Sequence, residues 1–225
     1  MKIQINYKIL GVITSIFLLG SCANKQQEEE GMPFYNSAEF TPEWISADSP
    51  NYDKIHTIPE FSFTNQEGEP VTEKTVEGKI YVANFMFTSC GSICPKMTDN
   101  MKILQDKFAN DAEMLLLSHS VTPEKDTVEV LKNYAKEKGC ISGKWHLLTG
   151  DKNAIYTIAK REYFAGDSIG YYGKLNDFLH TENFILVDGK RRIRGVYNGT
   201  LPIEMDRIIE DIITLKKEKL QKKPL

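Results

Sequence analysis

The chain has no apolar run long enough to cross a bilayer comfortably. The candidate, Ile9 to Leu19, falls well short of the roughly twenty residues that a spanning helix needs. It also has no internal repeat and no second tether-like stretch, which argues for a single domain. A basic stripe with interleaved aromatics is missing too. Lys and Arg number 28 against 31 Asp and Glu, a net charge of −3, and nucleic acid is therefore not an expected partner. Cysteine is scarce. Four are present, and they do not read as two disulfides, because Cys22 belongs to the N-terminal signal and leaves Cys90, Cys94 and an odd Cys140.

What is there begins at the N-terminus. Met1-Lys2 and Lys8 form a basic region before the apolar run, which ends in Leu19-Gly20-Ser21-Cys22. Small residues leading into a cysteine resemble a bacterial lipobox. Residues 1–21 are then a lipoprotein signal peptide and Cys22 is the lipidated mature N-terminus; the alternative is an ordinary signal peptide with an incidental Cys22. Ala23 to Gly31 is polar and carries a glutamate run, so it reads as a tether, and Pro33 to Tyr52 reads as an irregular arm packed on the domain. The lipid would hold the chain on a membrane, outside the cytoplasm and on the periplasmic face, in an oxidising compartment.

Beyond the arm, apolar periodicity alternates between two and 3.6. Ile58 to Phe63 alternates like a short edge strand, with Glu67-Gly68 as a turn. Lys79 to Phe87 reads as a central strand, Cys94 to Asn110 as a helix and Met114 to Ser118 as a second buried strand. Pro123-Glu124 opens a helix that ends at Gly139, Trp145 to Leu148 is a strand, and Asp151 caps a helix through about Arg161. Asn183–Val187 and Ile193–Tyr197 form a hairpin, and Leu201-Pro202 opens the last helix. Such an order predicts an α/β layered domain with a mostly parallel sheet.

Cys90 and Cys94, with three residues between them, fall at the turn from the central strand into a helix, with Pro95 as its first residue. Peptide dipoles at a helix start favour thiolates. With one more intervening residue than the usual oxidoreductase pair, the sulfurs lie one helical turn apart, and either a disulfide or a clamp for a soft metal ion is open. His180 is the candidate third ligand, although a lone histidine is as a rule structural or solvated. His119, at the same sheet end as Cys90, reads as an auxiliary ligand, a donor behind a metal ion, or a polar strand-end residue. Met97 and Met101 lie on one helical face, a spacing that suits core packing more than Cu(I) ligation. His146 reads as a sheet residue, His56 as part of the arm, and Cys140 as a semi-buried filler. The peroxiredoxin pattern, Pro seven and Thr three residues before the reactive cysteine, is absent: those positions are Ala83 and Phe87 for Cys90, Phe87 and Gly91 for Cys94.

The run Asn84-Phe85-Met86-Phe87-Thr88-Ser89-Cys90-Gly91-Ser92-Ile93-Cys94-Pro95-Lys96-Met97 resembles the F-x-F-T-x-C-x-x-x-C-P signature of the Sco/SenC proteins, copper-binding assembly factors for cytochrome c oxidase. Ser120 to Thr127, Trp145 to Gly150, and His180 with Leu186-Val187-Asp188-Gly189 match as well, so the likeness spans roughly Ile58 to Leu215. It implies a thioredoxin-like fold, a central mixed sheet flanked by helices, over residues 51–218, between a tether and arm at 22–50 and a basic tail at 219–225. It implies copper, Cu(I) or Cu(II), held by Cys90, Cys94 and His180. One departure is Thr122 in Ser120-Val121-Thr122-Pro123, where the family usually has aspartate; Asp126 keeps its place.

The leading expectation is a non-enzymatic copper chaperone whose partners are the apo copper subunit of a respiratory cytochrome c oxidase or a similar client, an envelope thiol reductant, and the membrane through its lipid. The alternative is a thiol–disulfide oxidoreductase in which Cys90 and Cys94 form the redox dithiol that keeps client cysteines reduced. A module that only buffers or senses copper uses the same ligands.

Overall fold

The computed structural model describes residues 31–166 and 181–221. The expected signal peptide, the lipidation site Cys22 and the candidate ligand His180 lie outside the described residues.

The arm carries a short antiparallel pair, β1 (Phe34–Tyr35) with β2 (Pro42–Glu43), and a 3₁₀ turn at Tyr52–Lys54. A second small hairpin follows, β3 (Ser62–Thr64) with β4 (Pro70–Thr72), leading into the short α1 (Glu73–Val76). Then come β5 (Ile80–Met86), α2 (Cys94–Lys107), β6 (Met114–Ser120), α3 (Val128–Lys138), β7 (Trp145–Leu148) and α4 (Lys152–Thr157). A π-helical segment (Ile158–Glu162) continues α4, and β8 (Asn183–Val187), β9 (Ile193–Asn198) and α5 (Pro202–Gln221) complete the chain.

The main sheet has the order β7-β6-β5-β8-β9. β5, β6 and β7 run parallel, and the β8–β9 hairpin adds antiparallel to β5, so the sheet is mixed. Every residue of β5 and β6 is buried because both faces are covered. The two-residue period sends Ile80 and Val82 toward Met97, Met101, Leu104 and the apolar stripe of α5, while Tyr81, Ala83 and Phe85 face the layer built by β3, β4 and the α4–π segment. Met97 and Met101 are core residues, fully buried.

Three local outcomes differ from the periodic reading. The Ile58-to-Phe63 alternation yields only a three-residue strand; Ile58 instead donates its N–H to Arg191 O, and Asn65 Oδ1 accepts from both Glu67 N and Glu69 N to shape the turn. The helix expected from Pro123 begins at Val128. Thr122 O accepts from Lys125 N and Asp126 N, which makes Pro123-Glu124 a turn, and Thr127 Oγ1 caps the helix by accepting from Val130 N. Proline suits a turn as well as a helix start, so the signal is degenerate. At the C-terminus α5 runs through Gln221, and Lys219 is helical, paired with Glu113 at 2.6 Å.

Gly139 ends α3 in the left-handed region, at φ 69°, with its N–H on Ala135 O. Gly139→Ala is expected to cost about 1 kcal/mol, because a Cβ is disfavoured there. Urea unfolding checks this as a lowered midpoint with an unchanged slope.

Candidate metal centre

β5 ends at Met86, and the chain turns at Phe87–Cys90, closed by Cys90 N donating to Phe87 O at 3.2 Å. Cys94 is then the first residue of α2 and Pro95 the second, where its missing N–H costs nothing. Gly91, Ser92 and Ile93 lie in the turn and not in the helix. The two thiols therefore meet because the turn folds over the helix start, not through helical spacing. Both cysteines are free thiols.

The pair is electrostatically unequal. Partial burial pulls the Cys90 thiol up, but the Cys94 side chain and the backbone N–H groups of Ser92, Cys94 and Ile93 hydrogen-bond its sulfur, and together they bring it below the ordinary value of 9.0. Cys94 is only 4% exposed. Burial pushes its thiol up to about 12, against the Phe87 backbone N–H, and the neighbouring Cys90 adds to the rise. The helix-start expectation thus holds for Cys90, while burial overrides it at Cys94.

Directly behind this turn is a carboxylate. Asp126, 1% exposed, accepts from Thr88 N (3.2 Å), Thr88 Oγ1 (2.5 Å), Ser120 Oγ (2.6 Å) and Thr122 Oγ1 (3.1 Å). Thr88 is two residues from Cys90. The hydroxyl-rich composition around Cys90 and at the end of β6 was the signal that could have found this cluster.

The remaining candidates separate from the thiol pair. His119 is wholly buried on the face opposite α2, its ring stacked on Phe85 (5.1 Å between centroids) and edge-on to Phe63 (5.5 Å). Neither ring nitrogen has a hydrogen-bond partner. Burial pulls its pKa down to about 4; the Asn84 backbone lies near enough to oppose the shift without completing a hydrogen bond. It is a neutral core histidine and not a polar strand-end residue. His146 is buried in β7, its Nδ1 3.4 Å from Asn65 Nδ2. His56 Nε2 lies 2.8 Å from Glu162 O. Cys140 is half-buried against the α2–α5 core, and burial pushes its thiol up to about 12. Among the described residues no three of His, Cys, Asp and Glu converge on a point able to hold a metal ion, and His180, the expected third ligand beside Cys90 and Cys94, falls outside those residues. No described helix is long and apolar enough to cross a membrane.

Comparison with known proteins bears on this arrangement. The SCO1/SenC family profile matches residues 49–217. The SCO1 protein homolog of Bacillus subtilis is 32% identical over 162 residues, covering 70% of this chain and 81% of its own. The structure of a SCO1/SenC family lipoprotein from Bacillus anthracis superposes with a TM-score of 0.62 at 31% identity, over 72% of this chain and 95% of that one. Arabidopsis thaliana ScoI, solved with copper bound, gives a TM-score of 0.53 at 27% identity, over 69% of this chain and 97% of its own. The mixed sheet with its thiol pair at the carboxyl end of β5 is the thioredoxin-like layout, and by the extent of the profile match and these relatives the chain belongs to the SCO1/SenC family.

Proposed function

We propose that the protein is a copper chaperone of the cell envelope, lipid-anchored at Cys22, which binds one copper ion through Cys90, Cys94 and His180 and passes it to the copper centre of a respiratory cytochrome c oxidase. The observation that carries this reading is the pair of free thiols meeting at the start of α2, one of them with thiolate character. Soft thiolates select Cu(I), and an imidazole is a natural third donor. The copper-bound Arabidopsis relative supports the choice of metal. Copper is the cargo here: the two sulfurs hold it, and protons compete for both, so affinity falls with pH.

The test is copper content of the reduced, lipid-free protein after copper addition and gel filtration. One copper per chain is expected, with an intense sulfur-to-copper absorption band, and His180→Ala is expected to weaken binding at least about tenfold. Unchanged affinity in that variant excludes the three-ligand site. Oxidase activity in a deletion strain under copper limitation separates delivery from mere buffering.

The inequality of the two thiols favours a second reading, reduction of client disulfides. Its mark is turnover of a disulfide substrate after strict copper removal, with His180 dispensable.

A further inference from the structure

Thr88 sits inside the Phe87–Cys90 turn and is held at two atoms by one carboxylate: its N–H by Asp126 Oδ2 at 3.2 Å and its Oγ1 by Oδ1 at 2.5 Å. The peptide groups flanking it govern both sulfurs. Phe87 aims its N–H at the Cys94 sulfur, and its carbonyl takes the Cys90 N–H. A shift of Thr88 therefore moves the donors around Cys94 and the backbone that carries Cys90 in one motion. On its other side the same carboxylate takes Ser120 Oγ, at the end of β6, and Thr122 Oγ1, in the next turn. The turns after β5 and β6 are tied into one unit through a single buried anion with four neutral donors.

We propose that Asp126 is the positioning residue for the Cys90–Cys94 pair, and that Thr122 completes its clamp. The Thr122 hydroxyl turns inward and donates to Asp126, and the Thr122 N–H rests on Ser120 Oγ at 3.1 Å. The inference rests on the proposed function only in taking Cys90 and Cys94 as the working pair.

Asp126→Ala removes both oxygens that hold Thr88, whereas in Asp126→Asn the amide oxygen can still accept from Thr88 N while the NH₂ group donates to Thr88 Oγ1. The test is site-resolved iodoacetamide labelling of the reduced, metal-free full chain, read by mass spectrometry as the initial rate at Cys90 relative to Cys140. Cys140 lies against the α2–α5 core and serves as the internal standard. In Asp126→Ala the ratio is expected to fall at least about threefold, as the amides around the Cys90 sulfur lose their register. Ser120→Ala removes one donor to the carboxylate and the acceptor of the Thr122 N–H but leaves both Thr88 bonds, and is expected to lower the ratio by less than Asp126→Ala. Thr88→Ser, which retains both bonds, is expected to keep the wild-type ratio. An unchanged ratio in Asp126→Ala, or an equal fall in Ser120→Ala, overturns the proposal. Should Asp126→Ala not fold, Thr88→Val decides: a fall of at least about twofold supports the clamp and a wild-type ratio overturns it. Because no copper is present, failure of the copper reading leaves this outcome untouched.

Discussion

Replacing His119 by leucine is expected to stabilise the protein at neutral pH and to remove a large part of its sensitivity to mild acid. The ring is fully buried among Phe63, Phe85 and Tyr163, and both nitrogens lack a hydrogen-bond partner. An unpaired buried polar group costs about 1–3 kcal/mol, and leucine fills a similar volume without it. A gain of about 1–2 kcal/mol at pH 7 follows. The acid effect adds to this. The folded ring has a pKa of about 4 against an ordinary 6.5. As pH falls below 6.5 the unfolded chain binds a proton that the folded ring refuses, so stability present above 6.5 drains away until about pH 4. The total is of order 3 kcal/mol, at the 1.4 kcal/mol that one pKa unit represents. Urea unfolding of both proteins at pH 7, 5 and 4 checks it: the gap should widen steadily toward acid. A variant that is less stable at pH 7 and loses stability in parallel with wild type would mean the ring has partners and is not a neutral core group.

His119 also shows where a sequence stops being informative. Its place near the end of β6 was legible, because Met114-Leu115-Leu116-Leu117 announces a buried strand. Which side of the sheet the ring faces was not, since a strand buried on both faces carries no apolar–polar alternation to read. That this side is roofed by Phe63 and Tyr163, from segments far away in sequence, was not. The same division holds elsewhere. β5 could be read because burial on both faces leaves an unbroken apolar run. The start of α3 could not, because Thr122-Pro123-Glu124 makes a turn as readily as a first helical turn, and tertiary bonds to Asp126 choose between them. In the site, the Cys90–Cys94 turn was visible from the strand before it and the proline after it. The unequal states of the two thiols were not, because they depend on which sulfur the turn leaves near solvent and which it presses onto the core.

That inequality leads to the second large effect. In reduced, metal-free protein at pH 7, iodoacetamide is expected to modify Cys90 at least about 30-fold faster than Cys94. Cys94 is raised to about 12 while Cys90 is held below its ordinary value, so at pH 7 the Cys90 thiolate is much the more populated. The more basic thiolate is the better nucleophile by a Brønsted factor of about 0.4–0.5 per unit, which returns somewhat less than half of the advantage on a logarithmic scale. The burial of Cys94 restricts the reagent further. Short-time labelling followed by peptide mass spectrometry gives the ratio directly, and equal labelling would show that the turn does not hold Cys94 against the core. The same order of reactivity dictates how any disulfide chemistry must run. The Cys90 thiolate attacks a client disulfide, forming a mixed disulfide and releasing one client thiolate. Cys94, once deprotonated, attacks the Cys90 sulfur, releasing the second client thiol and leaving Cys90 and Cys94 joined. The client gains the two electrons the pair loses. Cys94→Ser should therefore accumulate the mixed disulfide, while Cys90→Ser should not. If the pair holds copper as proposed, Cys90 would offer the first soft donor and Cys94 would have to lose a proton to join it, so capture should slow as pH falls even where Cys90 remains available.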